Sequence, residues 1–238
     1  MNGLPGKEVY EPGPPRIVEL VGPAGAGKTT LSRFLSQCDE KIQTAPEIEL
    51  RKIEHIPIFL ADIPFLLSSF LRRSRSGRWF TWEELKYIVY LRRWPRLLRH
   101  QAADNDTVLL LDHGPVFKLA TLNEFGPEKI NCQSFKNWWG DVLDQWARTL
   151  DMIIWLDAPD SVLMERINNR AQRHHVKAKS EQEAFQFLAR YRSSYEQVLV
   201  KLTANGRPRL LQFDTNQVSI EQITDRLLVT CGLNHHER

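Results

Sequence analysis

The amino-acid sequence predicts an α/β fold in which helices pack on both faces of a parallel β-sheet. Short apolar runs with the composition of buried strands alternate along the chain with longer segments of helical periodicity. A glycine-rich loop joins the first apolar run to the first helical segment. The 238 residues fit one such domain, and the hydrophobic content of 42% is sufficient for its core.

Composition restricts the classes of function. The formal charge of +3 suits binding of anionic phosphates but is too small to indicate binding of a nucleic acid polymer. The three cysteines, Cys38, Cys132 and Cys231, have neither metal-ligand nor redox spacing. We therefore expect them to be reduced, as in a cytoplasmic protein.

Residues 1–15 are rich in glycine and proline and contain no apolar segment, which argues against a signal peptide. We expect a mobile tail there, followed by a single domain at 16–238. The most apolar window, Ile56–Leu71, is short for a membrane span and is interrupted by Pro57, Asp62 and Pro64. The sequence therefore predicts no membrane association.

The first strand–loop–helix unit contains a phosphate-binding motif. An apolar run at Ile17–Val21 ends in Gly22-Pro-Ala-Gly-Ala-Gly-Lys-Thr29, and a helix is expected at about 28–37. This is the G-x-x-x-x-G-K-[ST] spacing in the context that the motif requires. Backbone N–H groups of the loop and the helix N-terminus would bind phosphate, Lys28 the terminal phosphates and Thr29 a Mg²⁺ ion. The predicted nucleotide-binding residues of this loop are Gly22, Pro23, Ala24, Gly25, Ala26, Gly27, Lys28, Thr29 and Thr30.

The second predicted strand, Lys41–Ala45, leads into Pro46-Glu47. Strand ends are where α/β folds place functional groups, so Glu47 is the candidate general base for a hydroxyl acceptor. A glutamate that only stabilises a helix start is the alternative, and Glu49 is a nearby competitor for the role of base.

Residues 53–106 are predicted to form a helical, substrate-side segment. Thr81-Trp-Glu-Glu84 has the pattern of a capping box for a helix that carries Leu85, Ile88 and Leu91. The segment is strongly basic, and its arginines form either a solvated surface or an electrostatic funnel for an anionic substrate: Arg72, Arg73, Arg75, Arg78, Arg92, Arg93, Arg96 and Arg99.

The third predicted strand, Thr107–Asp112, has four consecutive apolar residues before its final aspartate. This pattern favours Asp112 as an acidic partner of the metal, with capping of the next helix as the alternative. A helix at 135–150 carries Trp138, Trp139 and Trp146, which we interpret as core or cleft wall. A fourth buried strand is predicted at Asp151–Asp157.

A helix that begins at Ser161 passes into a basic run. At about 100° per residue, Arg166, Arg170, Arg173 and Lys177 fall within a stripe roughly 60° wide. We interpret the stripe as facing phosphate, within a lid at 166–180, while a solvated face near a helix C-terminus is the alternative. His174 and His175 are expected in a loop. A long helix at 181–202, a last strand at 209–213 and a closing helix at 220–228 complete the chain.

Four segments of the chain resemble the thymidylate kinase and deoxynucleoside kinase group of P-loop kinases. They are the phosphate loop, Pro46-Glu47, residues 151–170 with their I-I-W-L-D strand, and residues 187–196 together with Phe213-Asp-Thr-Asn216. The resemblance implies a three-layer P-loop NTPase sandwich with sheet order 2-3-1-4-5. It also implies an adenine-side loop formed by Asp214, Thr215 and Asn216.

One departure from that pattern concerns the acceptor. These kinases usually place Asp/Glu-Arg after the third strand, whereas this chain has Asp112-His113-Gly114. The arginine that is missing here normally touches the acceptor or its phosphate, so the resemblance does not carry an acceptor over.

Together these features predict an ATP-dependent, Mg²⁺-requiring kinase that phosphorylates a hydroxyl or phosphate of a nucleoside, nucleotide or other small metabolite. A regulatory or energy-coupling ATPase is the alternative. A GTPase is disfavoured because no N-K-x-D motif is present, and the aromatic helices are candidates for a homodimer interface. The predicted catalytic residues are Lys28, Glu47, Asp112, Arg166, Arg170 and Arg173, with Thr29 and Asp112 as metal ligands.

Overall fold

The computed structural model describes residues 14–45, 62, 78–104, 107–127, 133–170, 177 and 180–233. This part of the chain contains a five-stranded parallel sheet with the order β2-β3-β1-β4-β5. The predicted sheet order is therefore confirmed. The strands are β1 Ile17–Val21, β2 Ile42–Thr44, β3 Val108–Asp112, β4 Met152–Asp157 and β5 Arg209–Asp214.

Seven helices lie in the described ranges, and those at 181–202 and 220–230 begin at the predicted residues. They are α1 Lys28–Cys38, α2 Trp82–Asp104, α3 Pro115–Phe125, α4 Gln133–Ala147, α5 Asp160–Asn169, α6 Glu181–Leu202 and α7 Ile220–Thr230. The predicted capping box of α2 is present, since Thr81 and Glu84 exchange hydrogen bonds at 2.7 and 3.3 Å. None of these helices combines the length and the apolar character needed to cross a membrane.

Both faces of the sheet are covered, which confirms the three-layer arrangement. Side chains alternate between the faces along each strand. On one face Ile17 and Val21 pack with the apolar residues of α2, α3, α4 and α6. On the other face Val18 and Leu20 pack with α1, α5 and α7. The central strand β1 is thus buried along its whole length, and the loop that follows it lies at the carboxyl edge of the sheet.

The predicted core tryptophans are buried, and one of them completes a helix. Pro95 lies inside α2 and has no N–H to donate to the carbonyl of Leu91 one turn earlier. The indole N–H of Trp146, on α4, donates to this carbonyl at 2.9 Å. Trp146 also stacks on Tyr90 with a ring-centroid distance of 5.7 Å. A proline that would otherwise leave a buried carbonyl unsatisfied is therefore compensated from a neighbouring helix.

Cys38 and Cys231 are free thiols, as expected, while Cys132 lies outside the described residues. Burial raises the pKa of the Cys231 thiol to about 11, so this residue is protonated at neutral pH. The predicted tail also lies outside the described residues except for its last two, Pro14 and Pro15.

Candidate functional site

The phosphate loop connects β1 to α1 and packs closely against β4 and α5. Gly22 and Gly25 have φ angles of +145° and +88°, a region that side chains rarely adopt. A Cβ atom on Gly22 would lie 2.0 Å from the carbonyl oxygen of Leu156, and one on Gly25 would lie 2.8 Å from that of Leu163. The loop can follow this path only because both positions lack a side chain.

Lys28 begins α1 and folds back over the loop. Its ammonium group donates to the carbonyl oxygens of Gly22 at 2.7 Å and Pro23 at 3.0 Å. Burial lowers the pKa of Lys28 to about 8, although the carboxylate of Asp112 acts in the opposite direction. The positive charge of Arg170 contributes to the lowering. An anion bound at this position would favour the charged form of Lys28.

Thr29 and Asp112 meet beside Lys28. The hydroxyl of Thr29 donates to Oδ2 of Asp112 at 3.4 Å. The other carboxylate oxygen, Oδ1, is buried and accepts no hydrogen bond from the residues that the structure describes. A hydroxyl and a carboxylate are oxygen ligands of the kind that Mg²⁺ prefers, and Mg²⁺ usually takes one or two carboxylates together with substrate phosphates. This pair of side chains fits the predicted ion.

A larger protein cage for a metal does not occur among the described residues, which contain no group of three or more His, Cys, Asp and Glu side chains in suitable positions. A Mg²⁺ ion at Thr29 and Asp112 would take its other ligands from water and from substrate phosphates, as Mg²⁺ usually does.

His113 follows Asp112 and has a left-handed backbone with φ +60°. For a residue with a side chain this conformation is unfavourable by about 1–2 kcal/mol. Its Nδ1 lies 3.7 Å from Oδ1 of Asp112, and its ring contacts Phe117 edge to face at 4.6 Å between centroids. His113 thus lies directly beside Asp112, the predicted metal ligand. Strained backbone conformations of this kind are often found at functional sites.

Glu19 supports this turn from the middle of β1. Its side chain is fully buried and accepts hydrogen bonds from the N–H groups of Val116 at 3.0 Å and Phe117 at 3.2 Å, in the first turn of α3. Burial raises the pKa of Glu19 to about 8, and the two backbone donors and the charge of Lys118 counteract part of this effect. Sequence analysis missed this residue. A charged side chain in the apolar run Ile17–Val21 was the available signal.

Two cavities open on either side of the phosphate loop. The first, of about 480 Å³, lies between the loop, α5 and the start of α7, and Arg166, Thr215 and Ile220 line it. The second, of about 540 Å³, contains Asp112 and His113 and has an aromatic wall with Tyr191 and Tyr195. Arg170 lines both cavities.

The predicted nucleotide-binding residues divide between the two cavities. Those that line the first are Gly25, Ala26, Gly27, Thr30 and Thr215. Those that line the second are Gly22, Pro23, Ala24, Lys28 and Thr29. Asp214 and Asn216 contribute to the turn beside Thr215, where the Asn216 N–H donates to the Asp214 carboxylate at 2.9 Å.

Arg166 joins the phosphate loop to the loop after β5. Its guanidinium donates to the hydroxyl of Thr215 at 2.8 Å, to the carbonyl of Thr215 at 2.9 Å and to the carbonyl of Gly25 at 3.4 Å. These contacts place Arg166 in the wall of the first cavity, whereas Arg170 reaches both.

The prediction of a single basic helical stripe is wrong. Helix α5 ends at Asn169, and Arg170 has an extended backbone with ψ 142°. Asn168 and Asn169 are poor helix formers because their side chains compete for backbone hydrogen bonds, which accounts for the end of the helix. Lys177 donates to the carbonyl of Arg170, so it too lies off the helix, while Arg173, His174 and His175 lie outside the described residues.

The basic segment before β3 is only partly described. Arg92 and Arg93 form ion pairs with the fully buried Asp62 at 3.2 and 2.8 Å. The two arginine side chains are 27% and 34% exposed, and they neutralise an internal carboxylate, a role that neither interpretation of the basic segment includes. Arg72, Arg73 and Arg75 lie outside the described residues, as do the predicted base Glu47 and its competitor Glu49.

A network of ion pairs around Arg192 connects the end of β4 to the start of α5. The guanidinium, on α6, binds Asp157 at 2.7 Å and Asp160 at 2.8 Å, which raises the pKa of Arg192 above its already high value. Asp157 ends β4 and Asp160 begins α5. One side chain therefore connects the strand, the helix that precedes Arg170 and the helix that carries the aromatic wall.

The fold is that of P-loop kinases similar to the thymidylate kinase and deoxynucleoside kinase group. A deoxyadenosine kinase from M. mycoides, with its products dCMP and a flexible dCDP bound, aligns over 91% of this chain and 98% of its own, with 16% identity and a TM-score of 0.52. A thymidylate kinase from Candida albicans aligns over 91% and 90%, with 18% identity and a TM-score of 0.52. No protein-family model and no curated protein matches the sequence.

Proposed function

We propose that the protein is an ATP-dependent kinase that transfers the γ-phosphoryl group to a hydroxyl or a phosphate of a small molecule. The observation that carries the proposal is the pair of cavities on either side of the phosphate loop, with Arg170 in the walls of both. A donor in one cavity and an acceptor in the other would meet at Lys28, Thr29 and Asp112. Such positioning is the main source of catalysis in phosphoryl transfer.

The size and the lining of the second cavity favour a kinase over an ATPase. Its volume of about 540 Å³ is far more than an attacking water requires, and it lies in the range typical of small-molecule sites. Phe117, Phe187, Tyr191 and Tyr195 give it an aromatic wall next to the polar group formed by Lys28 and Asp112. An organic acceptor can pack its body on this wall and direct a hydroxyl or phosphate to the loop.

The roles that we propose for the described residues agree with their positions around the phosphate loop. Lys28 stabilises the negative charge that develops on the transferring group. Thr29 and Asp112 would hold Mg²⁺, which neutralises charge on the donor phosphates when it is bound. Arg170 contacts the transferring phosphoryl group between the cavities, whereas Arg166 and Thr215 form the base side of the donor site. Glu47 remains our candidate for the general base, and Arg173 for a further cation of the lid.

The first acceptors to test come from the similar structures. The M. mycoides enzyme has nucleotides bound as its products, and the Candida albicans enzyme is a thymidylate kinase. Nucleosides and nucleoside monophosphates therefore represent the hydroxyl and phosphate classes, and sugars represent acceptors that lack a base.

The experiment measures ADP release from Mg²⁺-ATP by the purified protein with each compound of this panel and with buffer alone. We expect release to depend on one class of acceptor and to disappear in the Lys28→Ala variant, which controls for contaminating kinases. Equal turnover with buffer alone would instead indicate the alternative, a regulatory or energy-coupling ATPase.

A further inference from the structure

Two buried ionisable residues, Glu19 and Lys118, contact the turn that carries Asp112. This turn connects β3 to α3, and its N-cap residue, Gly114, has no side chain to accept hydrogen bonds from the first turn of the helix. The carboxyl group of Glu19 supplies those acceptors from β1, because its oxygens accept hydrogen bonds from the N–H groups of Val116 and Phe117. The start of α3 is therefore anchored to the central strand.

Lys118 holds the other end of the same turn. Its ammonium donates to the carbonyl of His113, and it lies 4.1 Å from the ring centroid of Tyr90. A Cβ atom on Gly114 would lie 2.7 Å from Cδ of Glu19, so the turn is pressed against the carboxylate. His113 keeps its left-handed backbone between these contacts. The turn has little freedom to move relative to the phosphate loop.

We propose that Glu19 and Lys118 are positioning residues that hold Asp112 and His113 at the phosphate loop, and thereby set the affinity of the site for Mg²⁺. The inference rests on the metal role that the proposed function gives to Asp112. Neither residue is among those that line the two cavities. Each acts through the backbone of the turn, as groups outside the ligand shell act when they orient a metal ligand.

Asp151 provides a matched control at the opposite edge of the sheet. Its carboxylate also accepts two backbone hydrogen bonds, from Arg16 and Ile17, both at 2.9 Å. Removing it also takes the acceptor from two N–H groups, but at the amino end of β1 and at a more exposed position than that of Glu19. Loss of stability in general and loss of the turn geometry can thus be separated.

The test measures the Kd of a fluorescent ATP analogue as MgCl₂ is titrated, and again in EDTA, for Glu19→Leu, Glu19→Gln, Lys118→Met and Asp151→Ala. We expect Glu19→Leu and Lys118→Met to raise the half-saturating Mg²⁺ concentration roughly tenfold without changing the Kd in EDTA. Glu19→Gln keeps one acceptor oxygen and should show a smaller shift. Thermal melting identifies any variant that is not folded, and the remaining variants then decide the question.

A wild-type Mg²⁺ requirement in Glu19→Gln and Lys118→Met would overturn the inference. An equal shift in Asp151→Ala would do the same, because the effect would then follow general destabilisation. ATP binding that is independent of Mg²⁺ in the wild-type protein would remove the ion that the turn is proposed to position. A chain that binds Mg²⁺-ATP but phosphorylates no acceptor would contradict the proposed function and leave this inference standing.

Discussion

Lys28 illustrates how one side chain can serve both the loop and its ligand. Its ammonium donates to two loop carbonyls, and burial lowers its pKa to about 8. The loop carbonyls are neutral acceptors. The oxygens of a bound phosphate would be anionic acceptors and would therefore form stronger hydrogen bonds with this buried ammonium group. In the proposed function this residue would both bind the nucleotide and stabilise the charge of the transferring group.

We expect Lys28→Ala to reduce phosphoryl transfer by roughly 10²–10³ because it removes a cation from the transferring group. The fold should remain, since the ammonium group of Lys28 donates its hydrogen bonds to carbonyls of the loop. Steady-state kinetics and a thermal melt measure both effects. Lys201→Ala, an exposed lysine at the end of α6, is the control and should have wild-type kinetics. A Lys28→Ala enzyme with normal kcat would refute the catalytic assignment of the loop.

Glu47 and Asp112 can be separated by paired substitutions. Glu47→Gln should lower kcat by roughly 10²–10⁴ if Glu47 is the general base, with little change in the Kd of ATP. Asp112→Asn should instead raise the concentration of Mg²⁺ that the enzyme requires. The neutral amide of asparagine is a weaker Mg²⁺ ligand than the carboxylate of Asp112, whose buried Oδ1 accepts no hydrogen bond from the described residues. If Glu47→Gln turns over normally and Asp112→Asn is inactive at every Mg²⁺ concentration, Asp112 becomes the candidate base.

The end of helix α5 gives two arginines different surroundings. Arg166 is still within the helix and is bound to Thr215 and Gly25, whereas Arg170 follows the helix and lines both cavities. A continuous helix would have placed both residues on the same face. The end of the helix at Asn169 is what gives them different neighbours.

We predict that Arg170→Ala lowers kcat more than it raises the KM of ATP, because this arginine lies where the cavities meet. Arg166→Ala should instead raise the KM of ATP more than it lowers kcat, because Arg166 binds Thr215 in the wall of the first cavity. Kinetics of the two variants at varied ATP concentrations provide the comparison. The assignment fails if Arg170→Ala only weakens ATP binding.

The contact between α2 and α4 allows a test of helix completion by a side chain. Trp146→Phe should destabilise the protein by at least about 1–3 kcal/mol, because the buried carbonyl of Leu91 loses its donor. Pro95→Ala supplies an N–H one turn after Leu91, so Trp146→Phe should cost less in that background. Urea denaturation of the four proteins in this cycle measures the coupling. Strict additivity of the two changes would contradict the account.

The elements were predicted well from sequence because local signals agree with the tertiary structure. Apolar runs gave β1, β3 and β4 to within one residue at each end, and the capping box of α2 was identified from Thr81 and Glu84. The prediction of a basic stripe is wrong because it assumes helical periodicity beyond Asn168-Asn169. The side chains of these two asparagines compete for backbone hydrogen bonds, and the helix ends there. The end of a helix depends on such local chemistry and is weakly marked in a periodic pattern.

The candidate site was predicted less completely than the fold. Lys28, Thr29 and Asp112 follow from motifs, but Glu19, Lys118 and His113 gain their roles only from contacts between β1, β3 and α3. Glu19 and Val116 are 97 residues apart, so no local pattern could connect them. Residues so far apart in the sequence can be recognised as hydrogen-bond partners only when the order of the strands in the sheet is known.

For the molecule as a whole, Glu19 makes stability depend on pH. Its pKa is raised from 4.5 to about 8 by burial, so the folded state binds a proton that the unfolded state releases in this interval. The contribution is therefore fully present below about pH 4.5 and is lost as the pH rises through about 8. The free energy of unfolding should fall by up to about 1.4 kcal/mol per pH unit in this window from this group.

Urea denaturation of the wild-type protein and Glu19→Gln from pH 5 to about 9 tests this expectation, because glutamine cannot ionise. The difference between the two unfolding free energies should change with pH in the stated direction and level off above about pH 8. A difference that stays constant with pH would show that Glu19 has an ordinary pKa in the folded protein.

The bond between Trp146 and Leu91 also has a consequence for the order of events during synthesis. The two residues are 55 positions apart, so a ribosome that adds roughly 5–20 residues per second makes the donor about 3–11 seconds after the acceptor. During that time the carbonyl of Leu91 cannot receive the hydrogen bond from the Trp146 indole. Completion of α2 must await α4, which couples maturation of the segment before β3 to translation of the segment after it.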